Sequence, residues 1–163
     1  MGKKSTKENK NVYQLAREEL ELTRERASER LEFISSDRIE KIESGKSLPH
    51  PDEILMMAEK YKAPHLCNHF CSQECQIGQK YVPKVEMKNL SQIVLEVLAC
   101  LNALEKEKGR LVEISVDGAI TEDEIPDFKK IQEELATMSA TIRAMQLWVE
   151  KEKAEGNLGK ARE

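Results

Sequence analysis

Ile42-Glu43-Ser44-Gly45-Lys46-Ser47-Leu48-Pro49 closes the stretch Tyr13–Pro49, and the reading of that stretch decides how the rest of the chain is understood. It predicts three short amphipathic helices between tight turns. In the first, Tyr13–Leu20, Ala16 and Leu20 lie four apart on one face. Thr23 is a good N-cap for the second, Arg24–Leu31, with Glu25 in its first turn and Ala27 and Leu31 facing inward. Ser35 or Ser36 caps the third, Asp37–Glu43, where Ile39 and Ile42 share a face. Gly45 then stops that helix, because glycine enters the left-handed conformation at little cost. Between the second and third helices, Glu32-Phe33-Ile34 forms the turn, and Phe33 or Ile34 must fill the gap.

Composition agrees with an all-α fold. Charged residues make up 34% of the 163 and aromatics 4%, and alternating β-type runs are nearly absent apart from a short piece near residue 114. The net charge of −4 argues against a wholesale nucleic-acid coat but says nothing of a local patch. Residues 1–64 carry 13 basic and 13 acidic side chains, and residues 65–163 carry 13 and 17, so neither half stands out. No apolar run is long enough to span a bilayer and no signal-peptide core is visible. Four cysteines then suggest a reducing, cytoplasmic setting rather than a disulfide scaffold.

Outward from the central stretch, residues 1–12 are polar and basic, with Lys3, Lys4, Lys7 and Lys10. They read as a solvated, flexible terminus or as an arm that adds phosphate contacts. On the other side, Asp52 is the expected N-cap of a fourth helix through Ile54-Leu55 and Ala58 to Tyr61. Ala63-Pro64 ends it and opens a fifth, with Leu66 and Phe70 as the apolar pair. Two helices joined by a few residues, the second bearing Ser, Asp, Arg and Lys opposite its isoleucines, have the outline of a helix-turn-helix.

Arg17 ahead of Thr23, the run Ile42-Glu43-Ser44-Gly45-Lys46-x-x-Pro49 and the Ile54-Leu55-x-x-Ala58-x-x-Tyr61 helix resemble the Cro/repressor-type (xenobiotic-response-element) helix-turn-helix regulators over roughly residues 13–71. The resemblance implies an ion pair between Arg17 and Glu43 that locks the third helix to the first. It places the DNA-facing positions on Arg24, Ser36, Asp37, Arg38 and Lys41. Two family glycines, one before the second helix and one in the turn, are here Glu21 and Glu32. Asp37 and Glu40 also put carboxylates near the groove-facing side, where phosphates repel them although cytosine N4 can donate to them.

Between His65 and Gly78 lie Cys67, Cys71 and Cys75 with His65 and His69. Cys67, Cys71, Cys75 and His69 offer the ligand types of a zinc or iron–sulfur site, but no second pair of ligands follows at a distance. The alternatives are packing thiols, joined by Cys100, or a redox-responsive Cys71/Cys75 pair. Further on, Leu90, Val94, Val97, Leu101 and Leu104 form one stripe, and Phe128, Ile131, Leu135, Met138, Ile142, Met145 and Val149 another. Both run near the 3.5-residue period, so the two helices should fold back as an antiparallel hairpin. Ile93, Leu98, Leu147 and Trp148 extend the apolar surface beyond one seam, which asks for another partner: a second copy in a two-fold four-helix bundle or, alternatively, residues 13–64 of the same chain. Glu113, Ser115, Asp117, Gly118, Thr121 and Glu124 resemble an EF-hand loop, yet Ile114 and Val116 occupy polar places and read as a short extended piece. Thr121 and Glu124 make a capping box for the following helix.

No nucleophile elbow, phosphate-cradling glycine loop or metalloprotease motif is present, and the sequence does not read as an enzyme. The expectation is all-α: a basic arm (1–12), a five-helix repressor-like DNA-binding domain (13–72), a Cys-containing connector (73–89), a dimerising helical hairpin (90–154) and a flexible tail (155–163). The expected function is a homodimeric, sequence-specific transcriptional regulator on double-stranded DNA. Arg24 and lysines such as Lys46 would hold phosphates; Ser36, Arg38 and Lys41 would read base edges. The alternatives are a protein-binding module on the same head, or a regulator sensing metal or redox state through the cysteines.

Overall fold

Each of the first three helices begins where a side-chain oxygen can satisfy one of its first amides. In this computed structural model, which describes residues 10–159, α1 (Val12–Glu19) is capped by Asn11, whose side chain accepts from the Gln14 amide. The same side chain donates to the Ile42 carbonyl at 2.8 Å, so one residue starts α1 and holds the end of α3. Thr23 caps α2 (Arg24–Leu31) and Ser35 caps α3 (Ser36–Glu43), each accepting from the amide three residues on. The start of α4 (Pro51–Lys60) corrects the expectation for Asp52: the cap is His50, whose amide donates to Glu53 Oε2 at 2.7 Å. Proline at the first helical position needs no donor there, which moves the cap back past Asp52.

These helices enclose one core. Leu31, Ile39, Ile42, Ile54, Met57 and Leu66 are fully buried, and burial of each such side chain contributes about 1.5–3 kcal/mol. Ile34 plugs the turn between α2 and α3, whereas Phe33 points out and is 84% exposed. After α5 (His65–His69) the chain continues as a turn of π-helix, Phe70–Glu74, and then α6 (Gly78–Tyr81). This first unit reaches Lys84, past the expected boundary at 72, and also takes in the described residues from Val149 onward. Lys3, Lys4 and Lys7 of the expected arm lie outside the described residues.

The second unit, Val85–Trp148, holds α7 (Leu90–Ile114) and most of α8 (Ile125–Glu155). Asn89 and Gln92 form a reciprocal cap at the start of α7. The helices run antiparallel, in a register marked by Cys100 Sγ and Thr141 Oγ1 (3.8 Å) and by Arg110 Nε on Asp127 Oδ2 (2.7 Å). Two expectations change here. The buried stripe of α7 is Ile93, Cys100 and Ile114, while Leu90, Val94 and Leu101 are 40–47% exposed. Apolar residues occupy two adjacent faces of α7, and one antiparallel neighbour can bury only one of them. The extended piece near residue 114 is absent: Ile114 ends α7 inside the helix, and Val116 is 81% exposed. α7 therefore runs through Glu113, the first place of the EF-hand-like spacing, and Asp117 Oδ1 accepts the Ala119 amide. Glu124 caps back on the Thr121 amide at 3.0 Å, as its spacing predicts.

Glu21 and Glu32, which stand where the resembled family has glycine, both adopt positive φ, 55° and 60°. Glu32 has ψ −50°, and the Phe33 amide donates to the Leu31 carbonyl at 2.6 Å, the geometry of a tight γ-turn. A side chain in this region costs about 1–2 kcal/mol, partly offset by its smaller unfolded-state freedom relative to glycine. The facing Lys60 Nζ, 3.9 Å from Glu32 Oε1 in an exposed pair, returns little. Glu32→Gly is therefore expected to stabilise the protein by about 1 kcal/mol. Urea unfolding checks it: the midpoint should rise with an unchanged slope, and a lower midpoint refutes the strain.

Candidate nucleic-acid interface

The buried end of α3 is fixed by one carboxylate. Glu43 Oε1 accepts from Arg17 Nε at 2.5 Å, and Oε2 accepts from Arg17 Nη2 at 3.0 Å and from Arg24 Nε at 2.8 Å. Arg17 also donates to the Leu22 carbonyl through Nη1. Burial pulls the Arg17 pKa down, but the Glu43 carboxylate outweighs it and holds the guanidinium above its ordinary value. The structure thus brings together the pair implied by the resemblance, and adds Arg24 from the start of α2. Arg24 remains about one-third exposed, on the same side as the α2 N-terminus.

The outward end of α3 is held by a second arginine–glutamate clamp that the sequence does not announce. Arg38 Nε and Nη2 grip Glu53 Oε1 and Oε2 at 2.7 and 2.6 Å. Its Nη1 donates to Ser47 Oγ at 2.6 Å, and Nη2 also to the Leu48 carbonyl at 3.0 Å. Glu53 is at the same time the capping carboxylate of α4, so one side chain joins α3, the following loop and α4. Arg38 holds Glu53 below the usual carboxylate range. Of the other candidate base readers, Asp37 and Lys41 are exposed and Ser36 is half-buried. Lys46 is well exposed and lies 3.3 Å from Glu40.

The cysteine segment is built differently. His69 Nε2 lies 3.4 Å from Glu74 Oε1, and its ring meets Tyr13 edge-on at 5.8 Å. Tyr13 donates to Glu74 Oε2 at 2.9 Å, and burial, then Glu74, pushes its hydroxyl pKa well up. Glu74 was missed in the sequence because nothing in its neighbourhood marks a contact 61 residues back along the chain. Cys67, Cys71 and Cys75 form no disulfide and are half-buried. Gly78 packs so closely on Cys71 that a Cβ there would overlap its carbonyl. Among the described residues no three His, Cys, Asp or Glu side chains converge as metal ligands.

Compared with known proteins, the chain matches no family model, no curated protein and no solved structure. No helix among the described residues is long and apolar enough to cross a membrane.

The Glu53 clamp has a pH signature. A carboxylate whose folded pKa is lowered contributes stability above its unfolded value, about 4.3, and loses it as pH falls through the folded value. Glu53→Gln should destabilise the protein by about 1.5–3 kcal/mol at pH 7, the range for hydrogen bonds to a charged group. The difference from the parent should shrink as pH falls below about 4. Urea midpoints of both proteins across this range measure it, and a pH-independent difference contradicts the assignment.

Proposed function

We propose that the chain is a sequence-specific DNA-binding regulator that acts as a homodimer, with α3 as the helix entering the major groove. The observation that carries this reading is the state of α3. It is pinned on the inner side through Glu43 and along its flank through Arg38, while Asp37 and Lys41 stay exposed on the outside. A helix that must present a few side chains to base edges needs a fixed axis, because recognition depends on sub-ångström placement. In this reading Lys41, Asp37 and Ser36 face the bases. Arg26 and Arg30, exposed and one turn apart on α2, join Lys46 on phosphates. Arg38 positions α3 and does not itself read a base, since its nitrogens donate within the protein. Arg24 shares its guanidinium between Glu43 and the backbone of the duplex.

A second reading has one specific observation in its favour. Asp37 and Glu40 lie on or beside the outward side of α3, and Arg38, the one arginine of α3, is bound to Glu53. A protein partner with a basic surface suits that side as well as DNA does.

Selection from a random duplex pool, followed by affinity measurement across salt, separates the two. The DNA reading expects an enriched inverted repeat and a steep loss of affinity with rising salt. Lys41→Ala should cost about 1–3 kcal/mol at the preferred site and blur one base position. Lys46→Ala should weaken all sequences alike and reduce the salt slope by about 1. No enriched sequence at low salt overturns the DNA reading and leaves the protein-partner reading standing.

A further inference from the structure

The hairpin of the second unit is divided along its length into two chemically distinct halves. Near the connecting loop, α7 carries Glu105, Lys106, Glu107, Lys108 and Arg110, and Glu107 and Arg110 are tied across to Lys130 and Asp127 of α8. The other half has almost no charge on any side. Leu90–Leu104 contains only Glu96, and Leu135–Trp148 contains only Arg143. The Cys100–Thr141 contact puts these two stretches side by side in the antiparallel register. In a chain with 34% charged residues, two adjacent stretches this free of charge are not a solvent-adapted surface.

Their outward sides are apolar as well. Val94, Leu98 and Leu101 of α7 are 41–52% exposed, at the 4-then-3 spacing of a helical seam. Leu135 and Ile142 of α8 are 46% and 48% exposed, one heptad apart, with Met138 and Met145 half-buried beside them. Ala136, Ser139 and Ala140 keep the outer side of α8 low enough for another helix to approach closely. Fifteen helical residues span about 22 Å, so two neighbouring helices offer a face of roughly 400 Å². That matches the size at which apolar patches mark interaction sites. It is also about half of the roughly 800 Å² per partner of a standard interface, the share that an apolar centre supplies within a polar rim.

We propose that this face of the α7–α8 hairpin is covered by the same face of a second copy, giving an isologous four-helix contact. The argument for a second copy is chemical matching. A partner bearing Lys, Asp or Glu at the centre would lose hydration without a counter-charge to meet it. The hairpin itself is a helical surface with the required lack of charge. Of its two charges, Glu96 and Arg143, the first is already paired with Lys88 at 2.7 Å within the same unit. The inference supplies the contact surface for the dimer proposed above and rests on that reading only for the oligomeric state. DNA binding is scored separately.

Sedimentation equilibrium of the full-length protein over a range of concentrations tests it. The parent is expected to be a dimer at micromolar concentration. The double variant Leu98→Glu/Ile142→Glu should raise the dissociation constant by roughly 100-fold, the loss of a central pair of contacts. Val112→Glu, an exposed apolar residue of the charged half, should leave it unchanged. Circular dichroism confirms that helix content is retained; if the glutamates unfold the hairpin, Leu98→Ala/Ile142→Ala takes their place with the same expected direction. A monomeric parent, or a double variant that dimerises like the parent, overturns the proposal. A dimer dissolved by the substitutions that never bound DNA supports the surface and sinks only the regulator.

Discussion

One buried carboxylate organises the first unit. Glu43 is nearly inaccessible, with 1% of its side chain exposed, and it sits between Arg17 of α1 and Arg24 of α2. A lone carboxylate in that position would be costly, since removing one member of a buried ion pair typically loses about 3–5 kcal/mol. Two guanidinium groups supply the counter-charge and three hydrogen bonds. The net gain over an apolar trio is small, but the directional requirement is strict. α1, α2 and the end of α3 can satisfy Glu43 only in one mutual arrangement, while the isoleucines of α3 would tolerate several. Asn11, capping α1 and holding the Ile42 carbonyl, acts in the same sense from the other side. Hydrophobic burial makes the head compact; this network makes it particular.

The second clamp changes how α3 is to be understood. An arginine on the outward flank of a short helix invites assignment to a ligand, because its partner is invisible in the local pattern. Glu53 lies 15 residues away, across a turn and two prolines, and is already occupied as the cap of α4. Sharing one carboxylate between a cap and a clamp couples the orientation of α3 to the start of α4. The outward face then keeps Lys41 and Asp37 with no rigid role of their own, which leaves them able to adapt to a partner.

The parts of the fold that were legible were those set by nearest neighbours. Thr23, Ser35 and Gly45 do what their local chemistry requires, and the helix limits around them follow. The Arg17–Glu43 pair was legible only through a family likeness, since 26 residues separate the partners. Three features were not legible. The π-helical turn Phe70–Glu74 follows no sequence period, and neither does the close approach of Gly78 to the Cys71 carbonyl. The stripe of α7 shifted because two overlapping apolar periods run through it, and only the position of α8 chooses between them. The contacts of His69 with the Tyr13 ring and with Glu74 were not legible either, since Tyr13 lies far outside the cysteine segment.

The two glutamates at positive φ bear on the same question from the side of strain. Glu21 and Glu32 flank α2 at both ends, each in a conformation that glycine would adopt more readily. The turns keep their geometry because it is imposed from outside. Leu31 and Ile34 are anchored in the core on either side of Glu32, and Arg17 and Glu43 fix the helices that these turns connect. Local preference is overruled where burial and a charged network together exceed its cost of about 1–2 kcal/mol per residue. The turns at Glu21 and Glu32 therefore hold their geometry without glycine. The determinant that cannot be lost in the same way is the buried charge that α1, α2 and α3 hold in common.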